Sequence, residues 1–212
     1  MSADAYGLTA RFYDVVVEPM NAPLRATARR FCPPEPDWVV LDLGCGTGTA
    51  LAEYRAAGCR VIGTDPSPGM LERARARLGG DTDLRLIEGP TMPVDDGCAD
   101  LVLVSLVLHS VPRDEAVGIL REAARALAPG GRVLVTDFGT SGLRFPRGWV
   151  TRGVSAVAEL AAGLEHASNS LAYMRAGGLL PLVEAAGLRV QSMRPTAGGG
   201  ITIAVLERGI HS

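Results

Sequence analysis

Residues 39–48 read VVLDLGCGTG, an apolar run followed by three glycines at alternate positions. The apolar run predicts a buried β-strand, and residues 48–57 beyond it have the pattern of a helix. In an α/β sheet, a glycine turn between a strand and a helix places backbone N–H groups and a helix N-terminus where such sheets bind ligands. Glycine suits this turn because a Cβ would obstruct a ligand lying against the main chain. The stretch therefore predicts a strand, a ligand-binding turn and a helix.

Strands and helices alternate along most of the chain. Strands are predicted at 38–43, 60–65, 83–89, 99–105, 132–138, 188–195 and 200–208, and helices at 4–17, 20–31, 48–57, 68–78, 112–128 and 178–187. The last two strands are joined by a glycine-rich connection that is compatible with a hairpin. We therefore predict an α/β fold: a doubly wound, mainly parallel, seven-stranded Rossmann-like sheet with a C-terminal antiparallel hairpin and a helical cap.

The length of 212 residues favours one domain with a sizeable core. Its predicted parts are an N-terminal helical lid (1–36), a ligand-binding core (37–138), a substrate cap (139–176), and a helix with the terminal hairpin (177–208). The cap contains few acids, Glu159 and Glu165 among them, which favours an uncharged and fairly apolar substrate.

The composition excludes several functional classes. A net charge of −2 gives no electrostatic basis for sequence-independent nucleic-acid binding. No apolar run is long enough to span a bilayer and the N-terminus does not resemble a signal peptide, so we expect a cytoplasmic protein without membrane insertion. The four cysteines, at 32, 45, 59 and 98, lack metal-ligand spacing, and no metal is predicted. The oligomeric state is left open.

Two carboxylates beside the glycine turn favour one cofactor over another. Asp65 ends the second predicted strand, 21 residues after Gly44, where an acid can accept both hydroxyls of a ribose. The glycines follow the spacing G-x-G-x-G, and not the dinucleotide spacing G-x-G-x-x-G. Asp42 lies two residues before Gly44, where its charge repels a phosphate and suits an ammonium or sulfonium group. The combination favours S-adenosylmethionine over NAD.

Four motifs resemble the class I S-adenosylmethionine-dependent methyltransferases, and most closely their "type 11" small-molecule branch, which includes quinone-biosynthesis enzymes. They are LDLGCGTG (41–48), VIGTDPSPGML (61–71), CADLVLVSLVLHSV (98–111) and ALAPGGRVLVTDF (126–138). The resemblance covers about residues 6–208. It implies methyl transfer from S-adenosylmethionine to O or C, less often N, of a small and fairly apolar acceptor such as a quinone-like, lipid-like or secondary metabolite.

The resemblance also implies roles for individual residues. Those expected to contact the cofactor are Asp42, Gly44, Cys45, Gly46 and Thr47 (methionine part), Asp65 (ribose), Pro66 and Met70 (adenine), Ser105 (sulfonium end) and Tyr13 (lid). One segment departs from the family pattern, since Pro90 stands where relatives commonly have an acid that binds adenine. The backbone of Thr91 and Met92 is expected to hold the adenine instead.

His109 is the candidate catalytic residue. It follows the fourth predicted strand at the ligand-binding edge, and its titration range suits a general base at neutral pH. The alternative is a histidine that packs under the lid or orients the substrate. Asp137, which ends the fifth strand, either faces the substrate or caps a loop. The arginines at 73–77 and 121–125 are interpreted as solvated helix faces.

Two rival functions are considered. An NAD-dependent oxidoreductase of the common short-chain type needs a Tyr-x-x-x-Lys sequence, and this chain contains no lysine. A non-catalytic cofactor-binding protein on the same fold is compatible with the sequence, because methyl transfer requires no particular catalytic side chain. The predicted partner in either case is a small molecule.

Overall fold

The computed structural model describes residues 18–140, 144–145 and 163–209. The helices are α1 (Glu18–Phe31), α2 (Thr49–Ala56), α3 (Pro68–Leu78), α4 (Arg113–Ala126), α5 (Leu164–Arg175) and α6 (Leu179–Ala185). The strands are β1 (Val39–Leu43), β2 (Arg60–Asp65), β3 (Asp83–Leu86), β4 (Ala99–Ser105), β5 (Leu127–Phe138), β6 (Leu188–Thr196) and β7 (Ile201–Arg208), and a 3₁₀ turn spans Leu108–Ser110.

The strands form a seven-stranded sheet in the order β3-β2-β1-β4-β5-β7-β6. β1 pairs in parallel with β2, and β2 with β3, so the carboxyl ends of these strands meet at one edge. β7 pairs antiparallel with both β5 and β6, and the register of β6 shifts between Val190 and Ser192. The predicted fold class, with its terminal antiparallel hairpin, is confirmed.

The chain divides into two compact units: residues 1–103 with 126–131, and residues 104–125 with 132–212. In the first unit, α2, α3 and the strands beside them bury a cluster of apolar side chains: Cys45, Leu51, Leu71, Ala74, Leu78 and Leu84. Helix α3 begins as the sequence predicts, since the Ser67 side chain accepts the Met70 N–H at 3.3 Å and Pro68 occupies the first turn.

In the second unit, α4 buries its predicted apolar stripe, which includes Ala116, Leu120 and Ala123. Arg208 at the end of β7 donates to the carbonyl of Ala124 at 2.9 Å, and Arg121 donates to that of Ala185 at 3.0 Å. Arg121 is exposed, in keeping with the predicted solvated face, and its hydrogen bond to Ala185 is an addition that the sequence did not predict.

Some predicted boundaries differ from the structure. β3 ends at Leu86 and not at residue 89, in keeping with Gly89 and Pro90, neither of which favours a strand. Helix α4 ends at Ala126, and β5 begins at once with Leu127, so the proline and glycines at 129–131 lie inside the strand. A proline cannot donate to a helical hydrogen bond, which explains why the helix stops before residue 128.

Two predictions fall on residues outside the described ranges. One is the helix at 4–17 with Tyr13, and the other is the part of the predicted cap (139–176) that comprises residues 141–143 and 146–162. Among the described helices, none combines the length and apolar character needed to cross a membrane.

Candidate functional site

The glycine turn after β1 owes its shape to three left-handed glycines. Gly44, Gly46 and Gly48 have φ angles of 80°, 54° and 74°. The N–H groups of Gly44 and Cys45 both donate to the carbonyl of Thr64, at 2.8 and 2.9 Å, which holds the turn against the end of β2. A Cβ built on Gly46 would meet nothing within 4 Å, so the main chain there borders open space. This is the accessible backbone that the sequence predicts for ligand binding.

Asp65, at the end of β2, braces the turn. Its Oδ2 accepts the Gly46 N–H at 2.9 Å and its Oδ1 accepts the Ser67 N–H at 2.8 Å. Burial raises the pKa of this carboxyl, while the two backbone donors lower it. Each oxygen retains a second lone pair, so the predicted ribose contact is compatible with this bracing.

Asp42 is a buried carboxylate with an unsatisfied oxygen. Only 3% of the residue is exposed, and its Oδ1 has no hydrogen-bond partner among the described residues. Burial, and then the charge of Asp65, raises the pKa of Asp42 from 3.8 to about 7. A buried acceptor that lacks a donor is energetically costly, and a positively charged donor beside Asp42 would relieve that cost.

Cys45, between two of the glycines, has none of the features of a nucleophile. Its side chain is buried in the apolar cluster of the first unit. Burial, followed by the charges of Asp42 and Asp65, raises the pKa of the thiol well above its ordinary value. The residue fills space beneath the turn while its backbone remains part of the candidate site.

Arg77 on α3 holds the segment that follows the turn. Its Nη1 donates to the carbonyl of Thr47 at 2.5 Å, to the Thr47 hydroxyl at 2.6 Å and to the Thr49 hydroxyl at 2.6 Å. Arg75 on the same helix donates to the carbonyl of Leu84 at 3.2 Å. Arg75 and Arg77 are exposed, in keeping with the interpretation of residues 73–77 as a solvated face. The sequence did not predict that both guanidinium groups also bond other segments of the chain.

We expect Arg77→Ala to lower the stability of the first unit by about 1–2 kcal/mol, since partly exposed hydrogen bonds from a charged group are lost. For a chain of this size the melting temperature should fall by roughly 2–8 °C, which thermal denaturation followed by circular dichroism measures. Glu72→Ala, an exposed site on the same helix, controls for the change in helix propensity. An equal shift in both variants would contradict the bracing role.

The residues predicted to surround the adenine also belong to the first unit. Pro66 is exposed and Met70 half-buried at the start of α3, while Thr91 is exposed and Met92 buried in the segment after β3. The Met92 carbonyl accepts the Val94 N–H at 2.8 Å, which fixes the conformation of that segment. Each of these positions follows β2 or β3 in the chain, and these two strands are parallel.

Ser105 and His109 lie in the second unit. Ser105 is half-buried at the end of β4, and the next residue, Leu106, has a left-handed φ of 57°. A leucine rarely adopts this conformation, and the Leu106 N–H is held by the carbonyl of Thr136 at 2.8 Å. The chain bends here into the 3₁₀ turn that carries His109, whose exposure is 4%.

His109 forms a close pair with Asp137. The distance between His109 Nδ1 and Asp137 Oδ1 is 2.6 Å, and the imidazole stacks on the ring of Phe138 with centroids 3.8 Å apart. Asp137 is fully buried and also accepts the N–H groups of Leu108 at 2.9 Å and Phe138 at 2.7 Å. The sequence left the role of Asp137 open, and this pairing with His109 was not predicted.

Helix α5 contacts the same region of the second unit. Asn169 donates to the carbonyl of Ser110 at 3.0 Å, and the Tyr173 hydroxyl donates to that of Phe138 at 3.3 Å. Across the described parts of the chain, no cluster of histidine, cysteine and acidic side chains has the composition of a metal site.

Comparison with known proteins gives a consistent result. Residues 41–135 match the family model described as a methyltransferase domain. Demethylmenaquinone methyltransferase of Clavibacter sepedonicus is 40% identical over 105 residues, covering 48% of this chain and 41% of the relative. Carboxy-S-adenosyl-L-methionine synthase of Pseudomonas aeruginosa is 32% identical over 114 residues, covering 49% of this chain and 46% of the relative. The chain thus spans less than half the length of these curated relatives.

Solved structures share the fold over nearly the whole chain. The structure of a complex of the Haloferax volcanii Trm112 methyltransferase activator with a methyltransferase gives a TM-score of 0.72 at 21% identity, covering 98% of both chains. Mitomycin 7-O-methyltransferase gives 0.66 at 23% identity, covering 99% of this chain and 61% of that one. The [4+2]-cyclase SpnF gives a TM-score of 0.59 at 19% identity, covering 89% of this chain and 81% of that one. These similarities show the fold, and the match of residues 41–135 to a methyltransferase domain confirms the resemblance drawn from the motifs.

Proposed function

From the premise that residues 41–135 are a methyltransferase domain of the S-adenosylmethionine-dependent class, we propose that this protein transfers a methyl group from S-adenosylmethionine to a small acceptor. The observation that carries the proposal is the buried Oδ1 of Asp42, which lacks a hydrogen-bond donor beside a glycine turn that borders open space. S-adenosylmethionine brings an ammonium group and a sulfonium, the charges that such a carboxylate favours.

The donor set of the first unit fits this cofactor better than a dinucleotide. Two buried carboxylates, Asp42 and Asp65, disfavour a pyrophosphate and favour a cation. The residues that would hold the cofactor are Asp42, Gly44, Cys45, Gly46 and Thr47 for its methionine part, Asp65 for its ribose, and Pro66, Met70, Thr91 and Met92 for its adenine. Ser105 and Tyr13 are retained as further contacts.

When bound, S-adenosylmethionine supplies an electrophilic methyl group on a positively charged sulfur. The protein's own task is then to align the acceptor and to exclude water, because proximity and alignment contribute much of the acceleration of such displacements. We assign to His109 the acceptance of a proton from the acceptor. Its buried pairing with Asp137 supports this assignment.

We propose that the acceptor is small and fairly apolar, such as a quinone-like, lipid-like or secondary metabolite. The low acid content of residues 139–176 supports this class, as does the similarity to a demethylmenaquinone methyltransferase. The atom methylated is O or C, less often N. The cytoplasmic location inferred from the sequence stays a prediction.

Calorimetric titration with S-adenosylmethionine and S-adenosylhomocysteine tests the proposal directly, with NADH as the negative control. We expect saturable binding of the first two by the wild-type protein. Asp65→Ala should weaken binding at least about tenfold, since it removes a ribose acceptor and the brace on the Gly46 N–H. Circular dichroism spectra establish that the variant is folded.

Asp83→Ala provides the matched control, because Asp83 is an exposed acid whose carboxylate pairs with Arg85. Its affinity should remain within about twofold of wild type. Binding of NADH alone would overturn the proposal in favour of an oxidoreductase.

A cofactor-binding protein without methyltransferase activity is the second candidate. It is favoured by the structural similarity to a [4+2]-cyclase, which shows that this fold is not confined to methyl transfer. Binding of S-adenosylmethionine without turnover, across a panel of hydroxylated and amino-substituted acceptors, would select this candidate.

A further inference from the structure

We propose that Arg77 is a positioning residue for the methyl donor. By holding Thr47, it presents an unused backbone N–H of the glycine turn to the carboxylate of the methyl donor's amino-acid part. Arg77 thereby sets the preference of this protein for methyl donors that carry a carboxylate. The inference rests on the proposed function, because it requires S-adenosylmethionine to bind at the glycine turn.

The glycine turn has one backbone N–H to spare. Four of its N–H groups have acceptors within the protein, namely those of Gly44, Cys45, Gly46 and Gly48. The N–H of Thr47 has no acceptor among the described residues. Thr47 follows Gly46, where the main chain borders open space. An N–H group in this place is available to a ligand, and a charged acceptor such as a carboxylate forms the stronger hydrogen bond with it.

Arg77 fixes the orientation of Thr47. A single nitrogen, Nη1, donates to the Thr47 carbonyl at 2.5 Å and to the Thr47 hydroxyl at 2.6 Å. The same nitrogen donates to the Thr49 hydroxyl at 2.6 Å. Thr47 is therefore held by both its main chain and its side chain, and only 3% of the residue is exposed. A binding group that is held in this way before the ligand arrives costs less ordering when the ligand binds.

The acids beside the turn make a well-placed N–H necessary. In S-adenosylmethionine the ammonium and the carboxylate are bonded to the same carbon atom. A ligand whose ammonium lies beside Asp42 therefore brings its carboxylate close to Asp42 as well. Asp42 and Asp65 are both buried, and their charges repel that carboxylate. The N–H of Thr47, held by a guanidinium on the other side of the residue, opposes this repulsion.

Decarboxylated S-adenosylmethionine isolates the contribution of the carboxylate, because it keeps the adenosine, the sulfonium and the amino group. In calorimetric titrations, the wild-type protein should bind this analogue at least about tenfold more weakly than S-adenosylmethionine. Equal affinities for the two compounds would overturn the proposal. Binding of neither compound by the wild-type protein would contradict the proposed function itself.

Arg77→Ala should remove the preference for the carboxylate. We expect the affinity for S-adenosylmethionine to fall about tenfold, and that for the decarboxylated analogue to change less than about threefold. Arg77→Lys should keep the preference within about threefold of wild type, because a lysine ammonium also offers three N–H groups from one nitrogen. An equal loss of affinity for both compounds would indicate a general structural role and contradict the proposal.

Arg75→Ala is the matched control. Arg75 is exposed on the same helix and donates to the Leu84 carbonyl at 3.2 Å, so its loss also removes a bond between α3 and another segment. The preference for S-adenosylmethionine over the decarboxylated analogue should stay within about twofold of wild type. A loss of preference as large as that in Arg77→Ala would contradict a specific role for Arg77.

The hydrogen bond to Thr47 can also be observed in the wild-type protein, without any Arg77 variant. In ¹H–¹⁵N NMR spectra of a ¹⁵N-labelled sample, S-adenosylmethionine should move the amide proton of Thr47 downfield, because a carboxylate is a strong acceptor. The decarboxylated analogue should move it much less. Thr47→Ser identifies the resonance. An amide proton that responds equally to the two compounds would overturn the proposal.

Discussion

Asp42→Asn is expected to make the protein more stable and, at the same time, to weaken its binding of S-adenosylmethionine. The substitution removes a buried charge whose Oδ1 lacks a donor and which lies within the field of Asp65. It also removes the acceptor proposed for a cationic group of the cofactor. A hydrogen bond to a charged group contributes about 1.5–3 kcal/mol, so Kd should rise roughly tenfold to a hundredfold.

The gain in stability should depend on pH in a defined direction. Asp42 binds its proton more tightly in the folded protein, where its pKa is about 7 in place of 3.8. Its contribution is therefore fully favourable below about pH 4 and is lost as the pH rises towards 7. The difference in pKa corresponds to roughly 4 kcal/mol at most, and we expect half or less to be recovered, because a buried amide is itself polar.

Thermal denaturation at pH 5 and pH 8 provides the measurement. The melting temperature of Asp42→Asn should exceed that of the wild type more at pH 8 than at pH 5. Binding should show the complementary effect: wild-type affinity about tenfold weaker at pH 6 than at pH 8, and almost constant in the variant. A variant that is less stable than the wild type at pH 8 would contradict this account of Asp42.

The second large effect is expected at Gly46 and Gly48 of the glycine turn after β1. Substitution by alanine should affect stability and cofactor binding differently at these two positions. Both need a positive φ, which costs an alanine about 1–2 kcal/mol. A Cβ on Gly48 would lie 2.9 Å from Leu78 Cδ1 and 3.1 Å from Ala74 Cβ, whereas one on Gly46 would meet nothing within 4 Å. Gly48→Ala should therefore lose about 2–5 kcal/mol, or roughly 5–15 °C in melting temperature.

Gly46→Ala should remain folded and lose affinity for the cofactor. Its stability should fall by only about 1–2 kcal/mol, while its Cβ occupies the space proposed for the ligand and weakens binding at least tenfold. Gly80→Ala is the control, because a Cβ on Gly80 would meet nothing within 4 Å and Gly80 does not have a positive φ. The stability of this variant should differ little from that of the wild type. Unimpaired binding by Gly46→Ala would exclude a ligand from this part of the turn.

The parts of the fold that the sequence predicts well depend on local signals. Ser67 and Pro68 mark the start of α3 because a hydroxyl cap and a proline act on the backbone beside them. Asp42 and Asp65 could be recognised as a pair because parallel neighbouring strands end at the same edge. These inferences use only the order of residues and the geometry common to α/β sheets.

The contacts that the sequence did not predict join distant segments. Arg77 reaches Thr47 across 30 residues, and an arginine on an outward helix position has the same sequence pattern whether or not it bonds a loop. The pairing of His109 with Asp137 depends on the left-handed backbone at Leu106, for which a leucine gives no signal. The early start of β5 likewise places residues 129–131, which usually interrupt regular structure, within a strand.

The irregular register of β6 affects how readily the protein aggregates at high concentration. β6 is the last strand of the sheet, and an exposed strand edge is a template for aggregation. The shift between Val190 and Ser192 distorts the hydrogen-bonding row, and Pro195 removes one donor from it. Arg194 adds a positive charge after the shift, while Arg189 before it pairs with Glu207 at 3.1 Å. These features discourage a second chain from extending the sheet, so concentrated solutions should resist the formation of β-rich aggregates at this edge.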